Sequence, residues 1–400
     1  MGRNAIEKEL VPVDPERFVV FQRPDGTELG YLAVDTTTGG VCGGGVLAVP
    51  EISRLELCHL AMAMTRKYAF PEIPVGGAKA AVLTRSDGAD KKNDLIEFGK
   101  QLRPHTRSYS PGKDLGVDHR DLQRIFAAVG IQPRRTVSDS GFYTGFTVLL
   151  AAKESTGYYN MKLDSCTVAI EGFGSVGSWV ARFLYNRGCR VVAASTRQGA
   201  VYNPKGIDVY ALCRLRDRYG ARCVTQYGDV NPIPKENLLR LSVDILSPCA
   251  LSWSIRKSNA DQVSAQMIIP GANNPVTDAA KKQLAARGIF YFPDFVANCG
   301  CVLGSMFESA FLSPPRVLEM INRKLRPRIR HLFQGAGGAP GSLESLAETV
   351  AAQNLIRLHR GSRNPLQRVY PLVWRAYRSG LIPDALIRRC AAIYLQAMIR

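Results

Sequence analysis

The feature that most restricts the fold lies mid-chain. The apolar run Thr167-Val-Ala-Ile170 passes without a break into Glu171-Gly-Phe-Gly-Ser-Val-Gly177, and an amphipathic stretch carrying Trp179, Val180, Phe183 and Leu184 follows. Strand, G-x-G-x-x-G and helix in that order form a phosphate cradle. The first glycine permits a tight turn, the second lets a ligand approach the backbone, and the third packs helix on strand, with helix N–H groups left aimed at a pyrophosphate. Gly172, Phe173, Gly174, Ser175, Val176 and Gly177 are therefore read as dinucleotide-binding. A second strand at 190–194 leads to the position that reads the adenosine ribose, about twenty residues past the glycines. The chain has Ser195-Thr196-Arg197 there, with no acid to accept from a ribose 2'-hydroxyl and a guanidinium next door, so Thr196 and Arg197 favour NADP over NAD. Further strands at 243–246, 267–269 and 289–292 each end in a cluster of Pro, Asn or Gly and alternate with helical stretches. That alternation predicts a doubly wound parallel sheet, which binds ligands outside the carboxyl ends of its strands.

The second informative stretch sets two lysines twelve positions apart around a Pro and Gly-rich turn: Met-Thr-Arg-Lys67, then Gly-Gly-Ala-Lys79. Leu57, Leu60, Ala61 and Met64 recur at helical spacing, which puts Lys67 near a helix C-terminus, where a cation is favoured. Lys79 precedes the apolar run 80–83 and follows two glycines, a setting that desolvates an amine and suits it to general-base work. Upstream, residues 36–45 form a glycine cluster read as a loop or a backbone contact, after a hairpin around Pro24-Asp25-Gly26. Downstream, Tyr-Ser-Pro-Gly-Lys-Asp114 places a carboxylate in a Pro-Gly turn, which turn chemistry alone explains unless the lysines lie beside it.

At 400 residues and 46% hydrophobic, the chain is long enough for two cores. Boundaries are expected at 1–138, 139–300 and 301–400, the last a set of C-terminal helices returning to the first domain with a basic extension. The formal charge is +18, and residues 314–400 hold fifteen basic against four acidic side chains. Such a balance attracts polyanions. No aromatic interleaving or reading motif accompanies Arg323, Lys324, Arg326, Arg328 and Arg330, so a solvated face is expected and nucleic acid is not. Ten cysteines lie scattered without a C-x-x-C pair, which predicts reduced thiols, a cytoplasmic setting and no metal site. No apolar run is long enough for a membrane span.

Together these residues resemble the glutamate, leucine, phenylalanine and valine dehydrogenase family over roughly residues 15–360. The resemblance rests on Met-Thr-Arg-Lys67, Gly-Gly-Ala-Lys79, Pro-Gly-Lys-Asp114, Thr144-Gly-Phe, the Gly172 fingerprint, Tyr202-Asn-Pro-Lys-Gly, Gly-Ala-Asn273-Asn-Pro and Pro-Asp294 leading to Asn298. Spacing between Phe98-Gly99 and Asp114 is most similar to the leucine dehydrogenase branch. The resemblance implies an N-terminal α/β substrate and oligomerisation domain, a Rossmann-type dinucleotide domain, and a homo-oligomer. The implied activity is reversible oxidative deamination of an L-amino acid to a 2-oxo acid and ammonia. On that carry-over Lys67 pairs with the substrate carboxylate, Lys79 activates water, Asp114 moves protons at nitrogen, and Thr144 and Asn273 hold the nicotinamide and its ribose. Gly44 and Ser305 line the substrate.

Departures from the family pattern bear on the substrate. No arginine follows the glycines at Gly43-Gly44-Gly45-Val46-Leu47, and Cys42 is read as standing where glutamate enzymes carry a lysine. An apolar or aromatic amino acid is therefore expected over glutamate. The alternative is a catalytically weakened homologue that binds partners through its basic C-terminal helices.

Overall fold

A computed structural model describes residues 4–84, 89–131, 139–228, 230, 232–309, 312–337, 341–360 and 376. The chain divides into two compact units, one of residues 1–135, 309–311 and 350–400, the other of 136–308 and 312–349. The basic extension beyond residue 360 lies almost wholly outside the described residues.

The first unit opens with a helical turn, α1 (Asn4–Glu7), and is built on a five-stranded sheet in the order β1-β2-β4-β3-β5. Its strands are β1 (Arg17–Gln22), β2 (Glu28–Val34), β3 (Cys42–Val49), β4 (Gly76–Leu83) and β5 (Tyr109–Lys113). β3 runs parallel to both β4 and β5, and the β1–β2 hairpin joins antiparallel through β2. The glycine cluster is thus strand from Cys42 onward, and the Pro-Gly segment before Asp114 is an edge strand, where Pro111 costs no central ladder bond. Helices α2 (Arg54–Ala69), α3 (Ala89–Leu102) and α4 (His119–Val129) complete the unit. A reciprocal Ser53–Glu56 capping box starts α2. Side chains alternate across the sheet. Cys42, Val46, Ala78, Ala80 and Val82 join Leu95 and Phe98 of α3 and Ile125 and Val129 of α4 in one apolar core. The other parity faces α2, as the contact of Gly77 with Thr65 shows.

The second unit carries a seven-stranded sheet in the order β12-β11-β10-β6-β7-β8-β9. Its strands are β6 (Thr167–Glu171), β7 (Arg190–Thr196), β8 (Gly199–Tyr202), β9 (Pro232–Ile233), β10 (Ile245–Pro248), β11 (Met267–Ile268) and β12 (Phe290–Tyr291). From β12 to β7 every pairing is parallel, and the strand order reverses direction at β6. β8 and β9 then add antiparallel, a feature the sequence reading lacks. The helices are α5 (Ser140–Tyr158), α6 (Ser175–Tyr185), α7 (Val209–Tyr219), α8 (Asp278–Ala286), α9 (Asp294–Ala297), α10 (Gly300–Ser309), α11 (Pro314–Gly335) and α12 (Ser342–His359).

Much of the basic run on α11 is consumed internally. Arg326 and Arg330 clamp Glu154 of α5 at 2.6 and 2.8 Å, and Arg316 and Arg323 share Glu319. Burial opposes ionisation of Glu154, but the two guanidinium groups hold its carboxyl below the usual range. Among the described residues no helix is long and apolar enough to cross a membrane. The described cysteines are free thiols, and no described group of His, Cys, Asp and Glu is arranged to hold a metal ion.

Candidate active site

In the first unit α2 lies directly on the face of β4 that carries Lys79. A Cβ at Gly77 would fall 2.2 Å from the Thr65 nitrogen, and one at Gly43 would fall 2.7 Å from the Tyr68 hydroxyl, so only glycine admits the last turn of α2 this closely. Lys67 sits in that turn with 5% of its surface exposed. Lys79 follows Gly77 by two residues on the same face of β4 and is 1% exposed. Its Nζ donates to Asp114 Oδ2 at 2.5 Å, and Asp114 Oδ1 accepts from the Leu115 amide at 2.7 Å. A buried ammonium in contact with a partly exposed carboxylate gives a pair that can exchange a proton with a ligand.

Gly45, which the sequence reading passes over, makes room for that pair. A Cβ there would lie 2.3 Å from Asp114 Oδ2 and 2.7 Å from its Cβ. Gly44 has the opposite parity. Its Cβ would fall 1.6 Å from the Ala78 carbonyl oxygen, and its own carbonyl accepts from the buried Tyr109 hydroxyl at 2.9 Å. Gly44 thus packs the sheet and does not face Lys79, whereas Gly43 and Gly45 do. Cys42 shares the parity of Gly44 and lies in the apolar core, where burial pushes its thiol up to about 12. A side chain at 42 therefore does not stand on the Lys79 face, and the substrate inference drawn from it is withdrawn.

In the second unit the fingerprint glycines meet three different surroundings. Gly172 adopts φ +93°, and a Cβ on it would strike Ala250 at 2.6 Å. Gly177 lies so close to the preceding turn that a Cβ would be 1.9 Å from the Gly172 carbonyl oxygen. Of the three, Gly174 looks onto space with nothing within 4 Å among the described residues, and it caps α6 without a side-chain hydrogen bond. That cradle fits the pyrophosphate of a dinucleotide. Phe173 is buried and its amide donates to the Ser195 carbonyl at 2.6 Å, while Ser195 Oγ accepts from the Gly172 amide at 3.1 Å. Exposed Ser175 donates to the Asp139 carboxylate at 2.8 Å, and Val176 is half-buried. Thr196 ends β7, its hydroxyl donating to the Ala221 carbonyl at 2.6 Å, and Arg197 beyond it is exposed.

At the carboxyl ends of β11 and β12, Asn298 Nδ2 donates to the Ala272 carbonyl and to Asn273 Oδ1, both at 2.9 Å. Its buried Oδ1 has no donor among the described residues, which leaves an acceptor for a ligand amide. Asn274 sits at φ 45° with its amide on Asp294 Oδ2 at 2.5 Å. Thr144 is buried in α5. Ser305 lies half-buried on α10, whose Gly300 and Gly304 pack against Tyr143. Glu171, the last residue of β6, accepts from Ser254 Oγ at 2.8 Å, and burial pushes its carboxyl up to about 7.

Two family models match this chain. Residues 138–335 fit "Glutamate/Leucine/Phenylalanine/Valine dehydrogenase", and 15–129 fit the "Glu/Leu/Phe/Val dehydrogenase, dimerisation domain". The chain belongs to this family. Its members are oxidoreductases acting on CH–NH2 donors with a nicotinamide acceptor. The chain is 33% identical over 314 residues to glutamate dehydrogenase B of Halobacterium salinarum, covering 72% of each chain. It is 33% identical over 333 residues to the NAD-specific glutamate dehydrogenase A of the same organism, covering 77% of this chain and 75% of the relative. A hetero-hexameric glutamate dehydrogenase from Thermus thermophilus shares the fold, with a TM-score of 0.65 over 96% of this chain and 88% of that one at 22% identity.

Proposed function

We propose that this protein is an NAD(P)-dependent L-amino acid dehydrogenase whose substrate chemistry is carried by Lys67, Lys79 and Asp114. The supporting observation is the buried Lys79–Asp114 contact at 2.5 Å on the same sheet face as Lys67. Deamination removes a hydride from the α-carbon and a proton from nitrogen, giving an imine; water adds to it, and collapse releases ammonia and the 2-oxo acid. Bound nicotinamide supplies the hydride acceptor. Lys67 pairs with the substrate carboxylate and so fixes the α-carbon. Asp114, partly exposed, takes the proton from nitrogen and releases it to solvent; it then accepts one from Lys79, which in turn takes one from the attacking water, and Asp114 returns its proton to the departing nitrogen. Gly172 to Gly177 hold the pyrophosphate, and Thr144, Asn273 and Asn298 present polar groups to the nicotinamide end.

For the side chain, the Lys79 face of β3 offers Gly43, Gly45 and Leu47, none of them a cation, which favours an uncharged amino acid. Relatives named glutamate dehydrogenase make glutamate the first competitor. For the cofactor, the missing acid at 195–198 favours NADP, whereas the name of one relative is NAD-specific. A homo-oligomer agrees with the dimerisation-domain match.

The test is nicotinamide absorbance across twenty L-amino acids with NAD and with NADP, repeated on Lys79→Ala. Turnover that falls by about a thousandfold in the variant, with dinucleotide affinity kept, is the expected result. A wild type silent in both directions, including with 2-oxo acids and ammonia, would sink the dehydrogenase reading.

A further inference from the structure

One cation reaches the fingerprint from an element the motif does not include. Arg216 on α7 donates from Nη1 to the Gly174 carbonyl at 3.3 Å and to the Ser178 hydroxyl. Its Nη2 and Nε reach Asp217 Oδ1 at 2.7 and 3.2 Å. The Arg216 side chain is 23% exposed and that of Asp217 is 62% exposed, so this ion pair opens to solvent and an incoming anion can replace the carboxylate. The Gly174 carbonyl also accepts from the Ser178 amide at 3.1 Å, closing the first turn of α6, and therefore points down the helix. A guanidinium bound to it lies beside that turn and not in front of the amides that face a pyrophosphate.

The neighbouring surface is the end of β7. Directly after α7, the turn Gly220–Thr225 is tied to that strand by the Thr196 bond to Ala221. Arg197, exposed, is the next residue. Arg216 and Arg197 thus approach, from two elements, the corner between the second fingerprint glycine and the end of the second strand. A doubly wound sheet receives the adenosine ribose there. None of positions 195–198 is acidic.

We propose that Arg216 is the principal anchor for the 2'-phosphate of NADP, with Arg197 as the second cation. A planar guanidinium held through Nη1 by Gly174 and Ser178 presents its Nε–Nη2 edge, now on the exposed Asp217 carboxylate, for two parallel bonds to a phosphate that displaces that carboxylate, the geometry arginine supplies and lysine does not. This inference rests on the reading of the second unit as dinucleotide-binding, and it locates the preference on α7, about twenty residues beyond Arg197.

The test is calorimetric binding of ADP-ribose and of 2'-phospho-ADP-ribose to the full chain, which needs no turnover. Wild type is expected to bind the phosphorylated probe at least about tenfold tighter. Arg216→Gln should abolish that preference and leave ADP-ribose affinity within about twofold; Arg216→Lys should keep part of it, because charge survives and the fork does not. Arg197→Gln should reduce it less. Equal weakening of both probes in Arg216→Gln would make Arg216 a structural prop of α6, and a wild type indifferent to the 2'-phosphate would equally overturn the proposal. If wild type binds neither probe, the dinucleotide reading fails with it. If Arg216→Gln does not fold, Arg216→Lys carries the decision, since an unchanged preference in that variant would also overturn it.

Discussion

Two glycine clusters organise this molecule, and they use the residue for opposite ends. In β3, Gly43, Gly44 and Gly45 are all filled against: Tyr68, the Ala78 carbonyl and Asp114 occupy the space their side chains would take. In the fingerprint, Gly172 and Gly177 are filled in the same way, but Gly174 faces nothing within 4 Å. Glycine spacing in a sequence therefore signals close approach without saying what approaches. At β3 the occupant is the protein itself, so that the Lys79–Asp114 pair sits flush on a sheet. At Gly174 the proposed occupant is a ligand.

The sharpest way to break this comparison is to add one methyl to each cluster. Gly44→Ala would drive a Cβ to 1.6 Å from a backbone oxygen of the central strand pair, and neither strand can move without breaking the core. We expect a loss of more than about 4 kcal/mol in denaturant unfolding, or no soluble protein. A variant as stable as wild type would show that β3 and β4 do not pair as described. In Gly45→Ala the three atoms nearest the new Cβ all belong to the Asp114 side chain, which is partly exposed and follows an edge strand. Here the fold should survive within about 1 to 2 kcal/mol, while turnover drops about a hundredfold or more as Asp114 swings off Lys79. Unchanged turnover would separate the Lys79–Asp114 contact from catalysis.

Legibility in the sequence followed how local the cause was. The strand, fingerprint and helix of residues 167–185 could be read because they follow one another without a break in the chain, although the contact that fills the space at Gly172, Ala250, is distant in sequence. The glycine cluster at 36–45 left a loop and a backbone contact both open, because the strand identity of its 42–45 part depends on Ala78 of β4 and Tyr109 of β5, thirty to seventy residues away. The same distance hid the parity of Cys42, which decides whether that position sees substrate or core. β8 escaped because its four residues pair only with β7 and β9. Arg216 escaped because no motif spans the forty-two residues between it and Gly174, and only packing of α7 beside α6 joins them.

The two clusters also differ in the carboxyl group beside them. Asp114 is met by an ammonium, whereas Glu171, at the mouth of the fingerprint, is met by the Ser254 hydroxyl. Burial raises the Glu171 carboxyl from 4.5 to about 7, with Ser254 and then Lys235 opposing the rise. The folded state thus holds a proton that the unfolded chain has lost between pH 4.5 and 7, so Glu171 lowers stability progressively as pH rises through that window and by a constant amount above it. Glu171→Gln keeps an acceptor for Ser254 and removes the titration. The variant should be more stable than wild type at pH 8 by up to about 3 kcal/mol and equal to it near pH 4. Parallel pH profiles of the melting temperature would mean that Glu171 is solvated in solution and exerts no such pull.

Gly174→Ala gives the smallest effect and the cleanest contrast with Gly44. Its backbone, at φ −87° and ψ −152°, suits any L residue, and its Cβ would enter open space. Stability should stay within about 0.5 kcal/mol of wild type, as at an ordinary surface position. Dinucleotide affinity should nevertheless fall about tenfold, because the added methyl takes up the volume through which the pyrophosphate reaches the amides of α6. Adenosine, which has no phosphate, should bind the variant and wild type alike. If the dinucleotide bound both proteins equally, Gly174 would be a glycine without an occupant, and the phosphate would have to be held elsewhere on α6. A methyl that unfolds the protein at one glycine and merely displaces a ligand at another would locate the ligand by the free space that folding leaves there.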